Sequence, residues 1–261
     1  MHASQPVLYE ESDNIALITL NRPGACNALN IDVLESIAQM LDAVKTRASV
    51  RAVILTGAGP QVFSAGADIA YLHRAAPLEV RDFARLAVRV TNRIENLGKV
   101  TLAALNGLAY GGGLELAEAC MIRIAAGNAR FGHPEVRIGA VAGFGGTTRL
   151  ARLVGKGRAA ELLLRGRIID AEEAVRIGLV HEAVEPGQLM RQARALVGDI
   201  LAQSPMAVRL TWEALHRGLN MTLEESAELG ADYFGLAAST EDFRIGTRAF
   251  IEKTRPEFTG R

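Results

Sequence analysis

Two glycine-bearing turns carry main-chain groups that could hold an oxygen atom with negative charge. The first is Phe63–Ile69 and the second is Asn106–Leu116, and each follows a strand-like apolar run and precedes a helix. N–H groups in the first turn of a helix lack an intrahelical partner, and the helix dipole adds partial positive charge there. Two such turns that meet would form an oxyanion hole. In the alternative interpretation, both are tight strand-to-helix connections whose glycines only permit the backbone geometry.

Two glutamates supply side chains that could transfer protons beside such a hole. Glu115 lies three residues after Gly112, so a helix that starts at the glycine triplet places its carboxylate nearly one turn along the same face. Glu135 follows Pro134, which restricts the backbone just before the acid. A pair of carboxylates suits general acid–base catalysis. Taken alone, Glu115 could instead complement the helix dipole, and Glu135 could be an ordinary loop carboxylate.

Several other kinds of site are excluded because residues or motifs that they require are missing. Three glycine-rich stretches that could hold a nucleotide each lack a required glycine, at Leu116, Thr148 and Leu150. The His133-Pro134-Glu135 segment resembles the His-x-Glu of zinc deaminases, but the Pro-Cys-x-x-Cys partner is missing. No Gly-x-Ser-x-Gly elbow of a serine hydrolase is present. We therefore predict no metal site.

The elements around the first turn follow a strand, helix, strand order. Ile15–Leu20 is a short apolar run that predicts a strand. From Ile31 the apolar residues recur at helical spacing, with Asn30 as N-cap. Ala52–Leu55 is apolar on both faces and too short for a helix, which suits a buried parallel strand. This order predicts a βαβ crossover.

The same pattern continues to Ala126, after which helices dominate. The predicted elements are a helix over Val80–Leu97, a strand over Val100–Leu105, a helix from Leu114 and a strand over Met121–Ala126. Later helical segments are Thr147–Val154, Arg158–Leu164, Ala171–Ile177, Gln188–Ala202, Ala207–Arg217, Leu223–Ala237 and Glu241–Ile251. These patterns predict an α/β core over residues 1–190 and a helical subdomain over residues 191–261.

Composition narrows the classes of partner and compartment. The 261 residues are 49% hydrophobic, enough for a substantial core, and 29 basic residues balance 29 acidic ones. No global charge favours nucleic acid or an anionic membrane. Cys26 and Cys120 stand far apart, which argues against a disulfide framework. Residues 1–10 show no basic region followed by an apolar run, and we expect a cytoplasmic protein.

Over essentially its full length the chain resembles the enoyl-CoA hydratase/isomerase, or crotonase, superfamily. The resemblance rests on Asn21-Arg22-Pro23 with Asn27-Ala28-Leu29, Phe63–Ile69, Gly111–Leu116, Phe131–Glu135, Gly143–Thr147, Phe250–Lys253 and Pro256–Arg261. It implies a crotonase-like spiral of ββα units with a mainly helical C-terminal subdomain. It also implies a homo-oligomer, either a trimer or a dimer of trimers.

The resemblance implies specific roles for the two turns and the two glutamates. The N–H groups of Ala67 and Gly112 would form the oxyanion hole. Hydratases of the family have glutamates at the positions of Glu115 and Glu135, whereas relatives with other reactions commonly lack one or both. The expected reaction is reversible addition of water to a 2-enoyl-CoA, in which Glu115 activates water and Glu135 delivers the α-proton. Burial or a like-charged neighbour would have to raise the pKa of the acid.

Coenzyme A would enter as part of the thioester substrate, with no separate cofactor. The resemblance assigns substrate contacts to Arg22, Ala25, Ala65, Asp68, Ile69, Gly111, Pro134, Gly143 and, from a neighbouring subunit, Lys253. Without it, Arg22 could be a solvent-exposed loop residue and Lys253 a helix C-terminal cation.

Departures from the family pattern concern the acyl pocket. Val141-Ala142-Gly143 replaces the frequent Ile-Pro-Gly, and His133 stands where glutamine is frequent. Tyr71–Arg89, which helps to form the acyl pocket in relatives, gives no readable substrate preference.

Two alternatives to a hydratase stay open. One is an isomerase or another reaction of the family, and the other is an RNA-associated or scaffold protein on the same fold.

Overall fold

The computed structural model describes residues 5–261. The expectation of a cytoplasmic protein rests in part on residues 1–10, and residues 1–4 lie outside the described range. The structure forms two compact units, one ending at Arg194 and the other beginning at Ala195. Within residues 5–261, no helix is long and apolar enough to cross a membrane.

A six-stranded sheet forms the first layer of the first unit. Its strands, in spatial order, are β1 (Val7–Ser12), β2 (Ile15–Leu20), β3 (Ala52–Gly57), β5 (Val100–Leu105), β7 (Ile122–Ala126) and β10 (Glu182–Val184). β1 pairs antiparallel with β2, and the other neighbours are parallel, with Ile15 opposite Ala52. Every residue of β3 and β5 is buried, as the apolar runs predicted.

A second sheet has four strands of three residues each. They are, in spatial order, β4 (Val62–Ser64), β6 (Leu108–Tyr110), β8 (Arg130–Gly132) and β9 (Ile168–Asp170). The first three are parallel, and β9 is antiparallel to β8. The sequence did not predict this sheet, because three residues are too few to show periodicity. β4 and β6 each end at one of the two glycine-bearing turns.

The helices of the first unit confirm the predicted crossover and shift two boundaries. Helix α1 (Ile31–Thr46) begins after Asn30, whose side chain accepts a hydrogen bond from the Val33 N–H at 3.0 Å. Helix α3 spans Pro77–Glu95 and so begins three residues before the predicted start, because Pro77 occupies the first helical position. Helix α4 (Gly112–Glu118) begins at Gly112 instead of Leu114, since the chain already turns at Gly111.

The remaining helices confirm the mainly helical C-terminal part. They are α2 (Ile69–Leu72), α5 (Gly146–Val154), α6 (Lys156–Arg165), α7 (Ala171–Arg176), α8 (Leu189–Leu201), α9 (Pro205–Gly218), α10 (Leu223–Ala238) and α11 (Glu241–Glu252). In the second unit, the buried Asp242 carboxylate accepts hydrogen bonds from the Ser204 hydroxyl at 2.8 Å and the Thr259 N–H at 2.7 Å. These bonds fix the C-terminal segment to α11.

Candidate active site

The first turn is held by the loop that follows β2. The Ser64 hydroxyl donates to the Asn27 carbonyl at 2.8 Å and accepts from the Gly66 N–H at 3.2 Å. The Leu29 N–H donates to the Gly66 carbonyl at 2.8 Å, and the Asp68 N–H donates to the Leu29 carbonyl at 2.8 Å. This network leaves little freedom in the backbone around Ala67.

The second turn lies directly against the first. Gly111 has φ +47°, and its N–H donates to the Gly132 carbonyl at 2.9 Å. A Cβ atom placed on Gly66 would lie 2.8 Å from the Tyr110 carbonyl oxygen and 3.2 Å from the Gly112 nitrogen. Real Cβ atoms essentially never lie less than 3.0 Å from another heavy atom, so a side chain at position 66 would clash with the Tyr110 carbonyl oxygen. Glycine at position 66 therefore allows the two turns to touch.

Two backbone N–H groups at this contact lack an acceptor in the part of the chain that the structure describes. Within residues 5–261, neither the Ala67 N–H nor the Gly112 N–H donates a hydrogen bond to another protein group. Gly112 is the first residue of α4, where the helix dipole adds positive charge. Ala67 and Gly112 both line one cavity. The arrangement can therefore stabilise an oxygen that gains negative charge.

Glu115 is buried beside these donors. Its side chain is 1% exposed, and its Oε1 accepts hydrogen bonds from the Phe144 N–H and the Gly146 N–H, both at 2.7 Å. Burial raises the pKa of Glu115 to about 7, although the Gly146 N–H and the charge of His133 act to lower it. The charges of Glu118 and Glu135 contribute further to the increase in this pKa. A carboxyl with this pKa can take or give a proton near neutral pH.

The raised pKa of Glu115 predicts how stability depends on pH. The carboxyl titrates near 4.5 in the unfolded chain and near 7 when folded, so the folded state holds more protons between these values. The contribution of Glu115 to stability is therefore present at low pH and is lost as the pH rises through 7. We expect the free energy of unfolding of Glu115→Gln, relative to wild type, to increase by roughly 2–3 kcal/mol from pH 5 to pH 8. Urea denaturation of both proteins measures this, and parallel pH profiles would contradict it.

Glu135 approaches the second turn from the other side. It lies in a 3₁₀ turn, Pro134–Ile138, with Pro134 at its first position. A Cβ atom on Gly111 would lie 2.7 Å from Glu135 Oε1, so the absence of a side chain at position 111 lets the carboxylate approach. Glu135 and Glu115 line the same cavity as Ala67 and Gly112. The structure thus brings together the four groups to which the sequence assigned chemistry.

The cavity measures about 650 Å³ and has mainly apolar walls. Its aromatic side includes Phe83, whose ring lies 5.2 Å from that of Tyr71 and 5.4 Å from that of Phe144, between centroids. Ile69, Leu72, Val80 and Ala84 add aliphatic surface. Within the described part of the chain, no group of three or more His, Cys, Asp or Glu side chains could hold a metal ion. The cavity suits an apolar ligand with one polar reacting group.

The predicted substrate contacts divide into two groups. Those that line the cavity are Ala65, Ile69, Gly111, Pro134 and Gly143. Arg22, Ala25 and Asp68 are not among its lining residues. The Arg22 guanidinium instead donates to the Asp68 carboxylate at 3.2 Å and to the Ala28 carbonyl at 2.7 Å. Lys253 lies in the second unit as the C-cap of α11, with φ 57°.

Sequence reasoning missed the groups that support the two glutamates. The backbone N–H groups of Phe144 and Gly146 had no sequence signal for their contact with Glu115. Glu118 was missed too, and its Oε1 lies 2.8 Å from His133 Nε2. One signal was available, because Glu115 and Glu118 are ionisable residues in the otherwise apolar stretch Leu114–Cys120, and each needs a buried partner.

Comparisons with known proteins agree with the resemblance found in the sequence. The profile of the enoyl-CoA hydratase/isomerase family matches residues 10–261. The chain is 44% identical to a short-chain-enoyl-CoA hydratase of Clostridium acetobutylicum, over 96% of each chain. It is 43% identical to a crotonyl-CoA hydratase of Syntrophomonas wolfei, over 98% of each chain. Among solved structures, an enoyl-CoA hydratase from Bacillus anthracis superposes with a TM-score of 0.95 at 36% identity, covering 98% of this chain and 100% of the other.

Proposed function

The chain belongs to the enoyl-CoA hydratase/isomerase family, and on this premise we propose that it is an enoyl-CoA hydratase acting on short 2-enoyl-CoA thioesters. The observation that carries the proposal is the presence of Glu115 and Glu135 in one cavity with the N–H groups of Ala67 and Gly112. The relatives named as hydratases of short-chain enoyl-CoA and crotonyl-CoA support the choice of substrate.

In the proposed reaction, the thioester oxygen binds the Ala67 and Gly112 N–H groups. Charge that accumulates on this oxygen as water adds to the β-carbon is stabilised by these donors. Glu115 takes a proton from the attacking water, because its pKa of about 7 provides the ionised form at neutral pH. Glu135 delivers a proton to the α-carbon. The product is a 3-hydroxyacyl-CoA, and the reverse steps dehydrate it.

The remaining parts of the substrate are proposed to bind around this centre. The acyl chain occupies the apolar cavity beside Phe83 and Phe144. Arg22, Ala25 and Asp68 are proposed to contact the coenzyme A portion, with the Arg22 guanidinium held in place by the Asp68 carboxylate. No metal or separate cofactor is needed, because backbone donors and carboxylates supply the charge stabilisation and the proton transfers.

We further propose a homo-oligomer, a trimer or a dimer of trimers, in which Lys253 contacts the substrate of a neighbouring subunit. Support comes from large apolar side chains on the second unit that are more than three-quarters exposed, namely Leu223, Phe250 and Ile251. Such exposure is typical of an interaction surface. Light scattering of the purified protein measures the oligomeric mass, and a monomer would refute this part of the proposal.

Loss of the ultraviolet absorbance of crotonyl-CoA tests the function directly. We expect wild-type protein to remove the conjugated enoyl absorbance rapidly in a buffer that contains EDTA and no added cofactor. Mass spectrometry should then show a product heavier than crotonyl-CoA by one water. A protein that binds the thioester but leaves the absorbance unchanged would contradict the hydratase proposal. Double-bond migration without water addition would favour an isomerase.

A further inference from the structure

An ionisable pair to which the proposed reaction gives no role lies next to Glu135. His133 follows β8 and is 1% exposed, and Glu118 is the last residue of α4 and is 4% exposed. His133 Nε2 lies 2.8 Å from Glu118 Oε1, and His133 Nδ1 lies 3.6 Å from Glu135 Oε1. The imidazole therefore stands between two carboxylates.

Without a cation, the carboxylates around the His133 ring would leave their negative charge uncompensated. Three carboxyl groups face the ring, from Glu115 and Glu118 on α4 and from Glu135 on the 3₁₀ turn. Burial alone disfavours the imidazolium form. The charge and hydrogen bond of Glu118, together with Glu135, nevertheless raise the pKa of His133 to about 10. His133 is therefore a cation among these carboxylates at neutral pH, and the buried Arg123 guanidinium, which interacts electrostatically with Glu118, is a second one.

Core filling does not account for the pair. Removing two charged groups from water costs several kcal/mol per ion, and an apolar pair of the same volume commonly fills such a space at no loss of stability. The space is also tight, since a Cβ atom on Gly146 would lie 2.9 Å from both His133 Cε1 and Glu115 Cγ. The ring, which lies between Glu118 and Glu135, is therefore also confined on the side of Gly146 and Glu115.

We propose that His133, held by Glu118, is a positioning residue that holds the Glu135 carboxylate against the second turn, where Glu135 exchanges a proton with the substrate. Within residues 5–261, the buried atoms His133 Nδ1 and Glu135 Oε2 have no hydrogen-bond partner, so the ring acts on the Glu135 carboxylate through its charge at 3.6 Å. The inference rests on the proposed function, because it concerns the carboxylate that handles the α-proton. It adds a role for two residues that the reaction itself does not require.

Kinetics of His133→Leu, Glu118→Gln and the double variant test the proposal. Leucine fills the space of the ring without a charge or a hydrogen bond, and glutamine at position 118 keeps a hydrogen-bonding group and removes the charge. We expect His133→Leu to lower kcat for crotonyl-CoA by about 10- to 100-fold through misplacement of Glu135, with KM nearly unchanged. The double variant should lose little more than either single variant, because the two residues act as one unit. His181→Leu, which changes an exposed histidine of the same unit, is the matched control.

The pH profile separates positioning from a general loss of structure. The His133 charge lowers the pKa of Glu115, so its removal should move the rise of kcat/KM near pH 7 to higher pH. Unchanged kcat, or a loss that is uniform at all pH values, would overturn the proposal.

Imidazole NMR of the wild-type protein gives a measurement that does not depend on variants that fold poorly. We expect the His133 ring to stay protonated above pH 8, whereas a ring that titrates near 6.5 would overturn the proposal. Wild-type protein that is inactive on crotonyl-CoA would instead mark failure of the proposed function. Active wild type with unaffected variants would mark failure of this inference alone.

Discussion

Glutamine at position 115 or 135 is expected to lower kcat for crotonyl-CoA hydration by about 100- to 10,000-fold, the range for loss of a general acid or base. Glutamine has the size of glutamate and keeps an oxygen for the Phe144 and Gly146 N–H groups that contact residue 115. Thioester binding should therefore persist while proton transfer fails. Initial rates from ultraviolet absorbance, with binding measured separately by calorimetry, check both expectations.

Glu35→Gln is the control for this pair, because Glu35 is an exposed carboxylate on α1 in the same unit. It should leave kcat unchanged. In the wild-type protein, kcat/KM should rise with pH through about 7 as Glu115 ionises, since the ionised form accepts the proton of water. Full hydration activity of Glu115→Gln together with loss in Glu135→Gln would show that one carboxylate suffices and would refute the role of Glu115. Full activity of both would refute the two-glutamate mechanism.

The parts of the fold that the sequence predicted are those with a local signal. β2, α1 and β3 have apolar residues at strand or helical spacing, and Asn30 caps α1 through a contact three residues away. The second sheet has no such signal, because its strands are three residues long and its order depends on pairing between distant segments. Such pairing is set by tertiary contacts, not by local propensity.

The same distinction applies to the candidate site. Gly112 and Glu115 were predicted together because both lie on one helix, where spacing alone relates them. The contact of Glu115 with the Phe144 and Gly146 N–H groups joins residues about 30 positions apart, and no pattern in the sequence encodes it. The sequence analysis expected a raised pKa for the acid, Glu135, whereas the structure raises the pKa of Glu115, because Glu115 is the carboxyl that this contact buries.

Alanine at position 66 is expected to lower kcat by about 100- to 1,000-fold, which is the effect of losing one oxyanion donor. The added Cβ would lie 2.8 Å from the Tyr110 carbonyl oxygen and 3.2 Å from the Gly112 nitrogen, so the two turns would have to separate. The Ala67 and Gly112 N–H groups would then no longer bind the same oxygen. Stopped-flow or steady-state absorbance with crotonyl-CoA measures the loss in kcat.

Gly59→Ala distinguishes this effect from backbone strain. Gly59 has φ +84°, close to the +93° of Gly66, but a Cβ atom there would meet nothing within 4 Å. Both variants should therefore lose roughly 1–2 kcal/mol of stability from a side chain in the left-handed region. Only Gly66→Ala should also lose kcat, because only its side chain enters the contact between the turns. Equal kcat in the two variants would show that the closeness of the Ala67 and Gly112 N–H groups does not determine the rate.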